Sequence, residues 1–260
     1  MKNIHSIIWI LVGGMLLSSA VREGYRSIPN GSFDTGEIIE YKVHYGFMNA
    51  AEALMVIDDE LHTVNGRPCY KIDVYGKSTG MFDLFLRIRD NWGTYLDTAS
   101  IIPQKSYRKI EEGKYRKHEV VDFYHMQERV EVNNFKKGEW KPVEHYEIDR
   151  YTQDMVSGYY FLRTVDFDQL EIGEVIEMKG FFDDETYDFE IRFLGREEVK
   201  TKLGKIRSLV LSPIMPENSL FDGENSIQVW ISDDANKVPL KVKAEMFVGA
   251  VEIDILSYQK

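Results

Sequence analysis

Apolar and polar residues alternate along most of the chain. From Ile39 to Phe47 every second residue is aliphatic or aromatic, and the residues between them are Glu40, Lys42, His44 and Gly46. A period of two places one set of side chains on each face of an extended strand, so this stretch is predicted to be a half-buried β-strand. The same alternation recurs over residues 70–74, 84–88, 130–132, 187–193, 227–231, 240–246 and 251–255.

Turn signals separate these segments. They are Asn65-Gly66, Glu112-Gly113, Lys137-Gly138 and Leu203-Gly204. Short glycine-containing turns between alternating segments indicate antiparallel hairpins rather than crossover helices. About a dozen strands are therefore expected, in a mainly antiparallel, all-β fold.

One segment, residues 152–164, has helical periodicity. Its apolar residues are Met155, Val156, Tyr159, Tyr160 and Leu162, and Thr152 is in position to be the N-cap. A helix with one apolar stripe is expected to pack against the concave face of a curved sheet. Ser157 lies in this helix but lacks the Gly-x-Ser-x-Gly turn of a hydrolase nucleophile, so no catalytic role is assigned to it.

Three short matches suggest an internal repeat. Gly36-Glu37-Ile38-Ile39-Glu40 corresponds to Gly173-Glu174-Val175-Ile176-Glu177, and Asp97-Thr98-Ala99 corresponds to Asp233-Asp234-Ala235. Gly66-Arg67 corresponds in the same way to Gly204-Lys205.

The predicted architecture is a single β-rich domain over residues 33–258. It is a curved sheet or open barrel made of two related halves, residues 33–148 and 171–258, with one short central helix between them.

The first twenty residues have the pattern of a secretory signal peptide. Lys2 is followed by an apolar run over residues 7–17 and by Ser18-Ser19-Ala20, which predicts cleavage after Ala20. The run is shorter than a membrane-spanning helix, although an uncleaved anchor is the alternative. The mature protein is expected to be periplasmic or otherwise exported, with a flexible segment over residues 21–32 and no membrane span. Cys69 has no partner for a disulfide, so it is interpreted as a structural residue.

Charge narrows the range of partners. The formal net charge of −11 argues against nucleic acid. Against this background, residues 105–117 contain six basic and two acidic side chains. Lys109, Lys114 and Arg116 are therefore candidates for contact with an anionic surface. The alternative is that these lysines and arginines protect an exposed strand edge from pairing with another sheet.

No catalytic or metal site emerges from the sequence. The histidines lack the spacing of a metal motif and are expected at the surface or in turns. The acidic groups Asp58-Asp59-Glu60 and Asp183-Asp184-Glu185 are interpreted as hairpin ends rather than as the paired carboxylates of a glycosidase. No cofactor, metal ion or catalytic residue is assigned, and an enzyme is the less favoured class.

Several motifs together resemble an exported bacterial family of unknown function, domain of unknown function 3108. They are Gly36-Glu37, Tyr45-Gly46-Phe47, Asp154-Met155-Val156-Ser157 with Arg163, Trp230-Ile231-Ser232-Asp233 and Val248-Gly249-Ala250. Ala51 occupies a position where the family has glycine. The resemblance implies an exported, β-rich protein of the cell envelope and implies no activity. The outline is also similar to envelope lipoprotein carriers, a likeness of architecture alone.

Two functional classes follow. The first is a binding or carrier module for a lipid or another apolar or amphipathic ligand, with Met155, Tyr159 and Tyr160 as candidate ligand-binding residues. The second is a structural protein with a filled core that binds an envelope protein partner. A glycan-acting hydrolase is a distant third.

Overall fold

A computed structural model describes residues 24–214, 226–246 and 249–260, which form fifteen strands and two short α-helices. The strands are β1 (Ile38–Tyr45), β2 (Met48–Val64), β3 (Arg67–Ser78), β4 (Arg89–Asp97), β5 (Pro103–Glu112), β6 (Tyr115–Tyr124), β7 (Arg129–Lys136), β8 (Glu139–Trp140), β9 (Glu144–Glu147), β10 (Val175–Phe182), β11 (Glu185–Thr201), β12 (Gly204–Ile214), β13 (Ile227–Ser232), β14 (Pro239–Glu245) and β15 (Ala250–Gln259). The helices are α1 (Gly80–Phe85) and α2 (Met155–Leu162).

All strands belong to one antiparallel sheet. Its order is β10-β11-β12-β13-β14-β15-β1-β2-β3-β4-β5-β6-β7-β8, and β9 also pairs with β7. The first and last strands of the chain, β1 and β15, are therefore neighbours in the middle of the sheet. The predicted antiparallel, all-β class is confirmed, and the number of strands is somewhat larger than expected.

The two edges of the sheet are joined by side chains rather than by a strand ladder. Phe181 of β10 packs with Phe123 of β6 and with Val130 and Val132 of β7, near the opposite edge. The backbone of Gln153 donates to the Lys179 carbonyl at 2.8 Å and accepts from Phe181 N–H at 2.9 Å, so it covers part of the β10 edge. The sheet is thus curled but open, as predicted.

The hairpin turns lie where the sequence predicts them. At the β2–β3 turn, Asn65 and Gly66 both have positive φ, 52° and 72°. Two consecutive residues with positive φ match the right-handed twist of the flanking strands. The acidic group 183–185 lies at the β10–β11 turn, as expected. The group 58–60 does not end a hairpin: it lies within β2, at a register shift between Ile57 and Leu61.

One predicted strand is wrong. Residues 84–88 alternate in polarity, but residues 80–85 form α1 and its Leu84 and Phe85 side chains are exposed. The Asp83 carboxylate pairs with Arg89 of β4 and accepts a hydrogen bond from Ser78 of β3, which holds the helix across the β3–β4 connection. The alternation here reflects exposed apolar residues rather than a buried face.

Two runs of six strands have matching bounds. Strands β1 to β3 begin 137 residues before β10 to β12, and β5 begins at Pro103 as β14 does at Pro239. The turns preceding these prolines both contain a residue with positive φ, Ile101 and Lys237. The ladders also shift register at equivalent points, beside Leu96 and Ile231. Duplication of an ancestral unit remains a prediction.

Helix α2 begins later than the sequence predicted. Its N-cap is Asp154, not Thr152, because the Asp154 carboxylate accepts from the backbone N–H groups of Val156 and Ser157. The Ser157 hydroxyl accepts from the Asp154 N–H at 2.8 Å, which completes a capping box. Ser157 is thereby engaged in stabilising the helix.

The segment before β1 runs along the body of the protein. Ile28 N–H donates to the Ala99 carbonyl at 2.8 Å, and the Arg26 carbonyl accepts from the Ser100 hydroxyl at 2.8 Å. These contacts are made by residues within 24–32, the described part of the segment 21–32 that was predicted to be flexible. The signal peptide and residues 21–23 lie outside the described residues. In the part of the chain that is described, no helix is long and apolar enough to cross a membrane.

Two buried residues have strongly shifted pKa values. Cys69 is buried in β3, and burial raises the pKa of its thiol to about 12. His125 was expected at the surface or in a turn. It lies in the turn after β6 but is fully buried: its Nε2 lies 2.7 Å from the Pro103 carbonyl and its ring stacks on Phe123. Burial lowers the pKa of His125 to about 4, against the opposing effect of the Pro103 hydrogen bond.

We expect His125 to make the protein less stable in acid. Its pKa is about 4 in the folded state and about 6.5 when unfolded. The unfolded state therefore binds a proton that the folded state excludes, so stability present above about pH 6.5 falls as the pH drops toward about 4, by roughly 3 kcal/mol in total. Urea unfolding across this pH range should show that the free energy of unfolding falls less steeply for His125→Gln than for the wild type. The glutamine amide can still donate to the Pro103 carbonyl.

His145→Gln is the matched control, because His145 lies mostly exposed beside Glu131. It should keep the wild-type dependence on pH. Equal slopes for the wild type and His125→Gln would contradict the assignment.

Candidate ligand cavity

Helix α2 lies between the two halves of the inner sheet surface. One face, with Val156 and Tyr160, packs on a cluster that includes Phe33, Ile57 and Ile72. Leu162 packs with a second cluster, formed around Phe193 and Leu211. The helix therefore crosses the interior of the curled sheet and divides it.

Polar contacts anchor the beginning of the helix. The half-buried Asp154 carboxylate, besides capping the helix, accepts from the Thr94 hydroxyl of β4 at 2.6 Å. Burial raises the pKa of Asp154, and its hydrogen bonds with Thr94, Ser157 and Val156 oppose that rise. The first turn is thus joined to one half of the sheet.

A buried ion pair anchors the other end. Arg163, which follows α2, is fully buried and makes two hydrogen bonds to the Glu37 carboxylate, at 2.6 and 2.7 Å. Its remaining N–H groups donate to the Ser32 carbonyl and to the Asn236 carbonyl at 3.0–3.1 Å. The Ser32 hydroxyl in turn donates to the Arg163 carbonyl at 2.7 Å.

Tyrosines surround this ion pair. The hydroxyls of Tyr160 and Tyr258 donate to Glu37 at 3.5 and 3.4 Å. Burial and the Glu37 charge raise the pKa of both phenols, that of Tyr258 to about 12. Burial acts to lower the pKa of Arg163, but the hydrogen-bonded Glu37 carboxylate opposes it and that pKa is raised, so Arg163 stays charged.

The second face of α2 borders a cavity of about 450 Å³. Strands β10 to β14 form its opposite wall, and the walls are largely apolar. Its lining includes Met155, Tyr159 and Leu162 from the helix side and Met178, Phe189, Ile191, Leu211, Ile227, Val229 and Val242 from the sheet. The volume falls within the range of small-molecule sites.

Few polar groups border the cavity. Arg163 and Asp154 line it at the two ends of α2, and both are engaged in the anchors described above. Glu190 of β11 also lines it and is exposed. The lining residues Gln153 and Tyr159 each carry a buried oxygen, Oε1 and the hydroxyl, without a hydrogen-bond partner among the described residues. Burial raises the pKa of Tyr159, so its hydroxyl stays protonated and able to donate. The cavity is therefore apolar with a small amount of hydrogen-bonding capacity.

The three predicted ligand-binding residues are divided by the helix. Met155 and Tyr159 line the cavity, whereas Tyr160 is fully buried on the opposite side, where its ring centroid lies 4.8 Å from that of Phe33. Adjacent residues of a helix project about 100° apart, so Tyr159 and Tyr160 do not share one surface.

The basic residues proposed for an anionic surface lie on the β5–β6 hairpin. Lys114 and Arg116 are exposed at its tip, and Lys109 is exposed further along β5. Glu111 lies 3.8 Å from Lys109 and 3.9 Å from Arg116. Arg108 and Lys117 of the same hairpin instead bind Glu119 and Asp183, so they link this hairpin to the β10–β11 turn.

Sequence reasoning missed the buried pair at the end of the helix. Glu37 was noted in a repeated pentapeptide and in the family-like Gly36-Glu37 motif, and Arg163 in the family-like helix motif, but the two were not paired. A signal did exist, since Arg163 follows an apolar stripe directly, but no pattern in one chain pairs it with a residue 126 positions earlier.

Comparisons with known families and solved structures identify proteins similar to this chain. The family described as "Protein of unknown function (DUF3108)" matches residues 40–255. No curated protein matches the chain. The crystal structure of a β-barrel-like DUF1849 protein from Brucella abortus superposes with a TM-score of 0.55 at 9% identity, covering 91% of this chain and 99% of that one. It supports the fold alone.

A structure with a YmcC-like fold from Bacteroides fragilis has a TM-score of 0.31 at 8% identity, covering 91% of this chain and 100% of its own. A Parabacteroides distasonis structure gives 0.31 at 9% identity with the same coverage.

We expect Glu37→Gln to be strongly destabilising. It leaves the Arg163 charge buried without a counter-ion, which typically costs about 3–5 kcal/mol. Urea unfolding should show this loss, and Glu37→Gln combined with Arg163→Met should cost less than the sum of the two single changes.

Asp168→Asn is the control, because Asp168 pairs with Arg196 at an exposed site and should cost less than about 1 kcal/mol. If Glu37→Gln lowers the free energy of unfolding no more than Asp168→Asn does, the Glu37–Arg163 pair is not central to stability.

Proposed function

The chain belongs to the DUF3108 family of proteins of unknown function, and we propose that it is an exported, non-enzymatic binding or carrier module that holds an apolar or amphipathic ligand in the cavity beside α2. The observation that carries this proposal is the apolar space of about 450 Å³ between the helix and strands β10 to β14. A protein interior is normally close-packed, so an unfilled apolar space of this size favours a ligand over a solid core.

The placement of polar groups suits an amphipathic molecule. Apolar strand residues such as Val229 and Val242 would contact a hydrocarbon portion. The Tyr159 hydroxyl, Gln153 Oε1 and the Glu190 carboxylate are the lining groups able to hydrogen-bond a polar end. The anchoring pair Glu37–Arg163 keeps the end of the helix in place whether or not the cavity is occupied.

The exported location rests on the amino-terminal sequence. Residues 1–20 have the features of a cleaved signal peptide, and Cys69 is the only cysteine, so the fold does not depend on disulfide formation after export. We propose the periplasm or another compartment outside the cytoplasm as its location.

We expect protein purified from the periplasm of an expressing cell to carry a bound lipid-sized mass. Native mass spectrometry under mild conditions measures this directly, and extraction with organic solvent should release the mass. A clean apo mass together with no binding of a dansylated fatty acid would support the filled, structural alternative.

A cavity-filling variant sharpens the test. Val242→Trp places a large ring in the cavity and should reduce dansyl fatty-acid binding at least tenfold with little loss of stability. Val143→Trp is the matched control, because Val143 is exposed outside the cavity. Equal binding by both variants would place the ligand elsewhere.

A further inference from the structure

Four large apolar side chains are exposed near one end of the sheet. Phe47 is 95% exposed, Leu84 83%, Phe85 84% and Met81 64%. We call them the apolar rim. Single exposed apolar residues are ordinary on protein surfaces, but a group of this size marks a site of interaction.

The fold brings these residues together. Phe47 lies in the β1–β2 turn, and the others belong to α1, between β3 and β4. The two segments are in contact, since the rings of Tyr45 and Phe82 lie 6.4 Å apart edge to face. In an antiparallel sheet the turns after β1, β3 and β5 leave at the same end, so the β5–β6 turn lies there too.

Three exposed cations accompany the apolar rim: Arg87, Lys114 and Arg116, which we call the cationic fringe. The Gly113 N–H donates to the Arg87 carbonyl at 2.8 Å, which joins the β5–β6 turn to the end of α1. Within the described residues Arg87 and Lys114 have no carboxylate at ion-pair distance, and Arg116 lies 3.9 Å from Glu111. The acidic neighbours of the fringe are Asp83, which also pairs with Arg89, and Glu111, which also lies 3.8 Å from Lys109, so the three cations are only partly compensated.

We propose that the apolar rim and the cationic fringe form a surface that docks on a membrane containing anionic phospholipids. Apolar side chains flanked by cations are the combination that inserts into the headgroup region while the charges meet lipid phosphates. The surface is basic although the chain as a whole has a net charge of −11, so charge complementarity favours an anionic partner.

A second copy of the chain is a poorer occupant. A twofold contact would place each cationic fringe beside its own counterpart, and like charges would repel. A membrane offers both an apolar layer and negative charge. A short helix and one turn bury little area, so docking is expected to be weak and reversible.

The docking surface does not depend on the proposed ligand, but it lies at the same end of the sheet as part of the ligand cavity. The end of β12 and the beginning of β13, which contribute Pro213, Ile214 and Ile227 to the cavity, are at the same end of the sheet as the turns after β1 and β5. Docking there would bring this end of the cavity wall toward the membrane.

Vesicle co-sedimentation tests the proposal. The mature protein should bind vesicles of phosphatidylcholine with about one quarter phosphatidylglycerol more tightly than vesicles of phosphatidylcholine alone. Changing Arg87, Lys114 and Arg116 to Glu should weaken the first interaction by roughly 100-fold. Changing Phe47, Leu84 and Phe85 to Ser should weaken binding to the anionic vesicles at least tenfold, because the apolar contact with the membrane is lost.

The β11–β12 hairpin provides the matched control. It carries Lys200, Lys202 and Lys205 beside a single exposed apolar residue, Leu203, and the same changes there should leave vesicle binding intact. Thermal melts should show that all variants fold.

The proposal fails if the wild type does not bind anionic vesicles, if the rim variant binds as the wild type does, or if the control loses as much. If analytical sedimentation shows that the wild type is a dimer and that the rim substitutions dissociate it, the surface binds a second copy of the chain instead.

Discussion

The pairing of Glu37 with Arg163 inside the protein is the interaction on which the rest of the structure depends. It joins the residue before β1, the end of α2, the segment at Ser32 and the turn at Asn236, and Tyr258 of the last strand also reaches it. Two charges can be buried only if their hydrogen bonds are satisfied, and here the guanidinium is bound from two distant parts of the chain: Ser32 and Glu37 before β1, and the turn at Asn236. Position and orientation of the helix follow from that constraint.

With its two ends anchored, α2 cannot move to fill the space beside it. Thr94 holds its first turn on β4 and Glu37 holds its last, while the cluster around Phe33 takes up one face. Between the opposite face and β10 to β14 a cavity remains, although Leu162 at the end of the helix packs on the cluster around Phe193 and Leu211. In this way a polar anchor leads to an apolar cavity, and the proposed ligand would occupy space that the protein's own side chains cannot reach.

The alternation of apolar and polar residues predicted strands correctly where one face of the segment is buried, and it was misleading where the apolar residues are exposed. Alternation around Ile39 reports a strand with one face in the core, whereas alternation around Leu84 comes from apolar residues that face outward on a short helix. His125 misled in the opposite direction, because a titratable residue in a turn looked like a surface residue. Neither case can be separated from the ordinary one without knowing what lies opposite the residue in space.

Local rules were enough for the class of fold, the hairpins, the central helix and its apolar stripe, since these depend on residues within a few positions of one another. Long-range contacts settled the remainder: the partner of Arg163, the division of Tyr159 from Tyr160, the packing of Phe181 against β6 and β7, and the contact of β1 with α1 through Tyr45 and Phe82. The reason is physical. A cavity or a surface is formed by residues far apart in the chain, and their proximity is a property of the packed sheet rather than of any one segment.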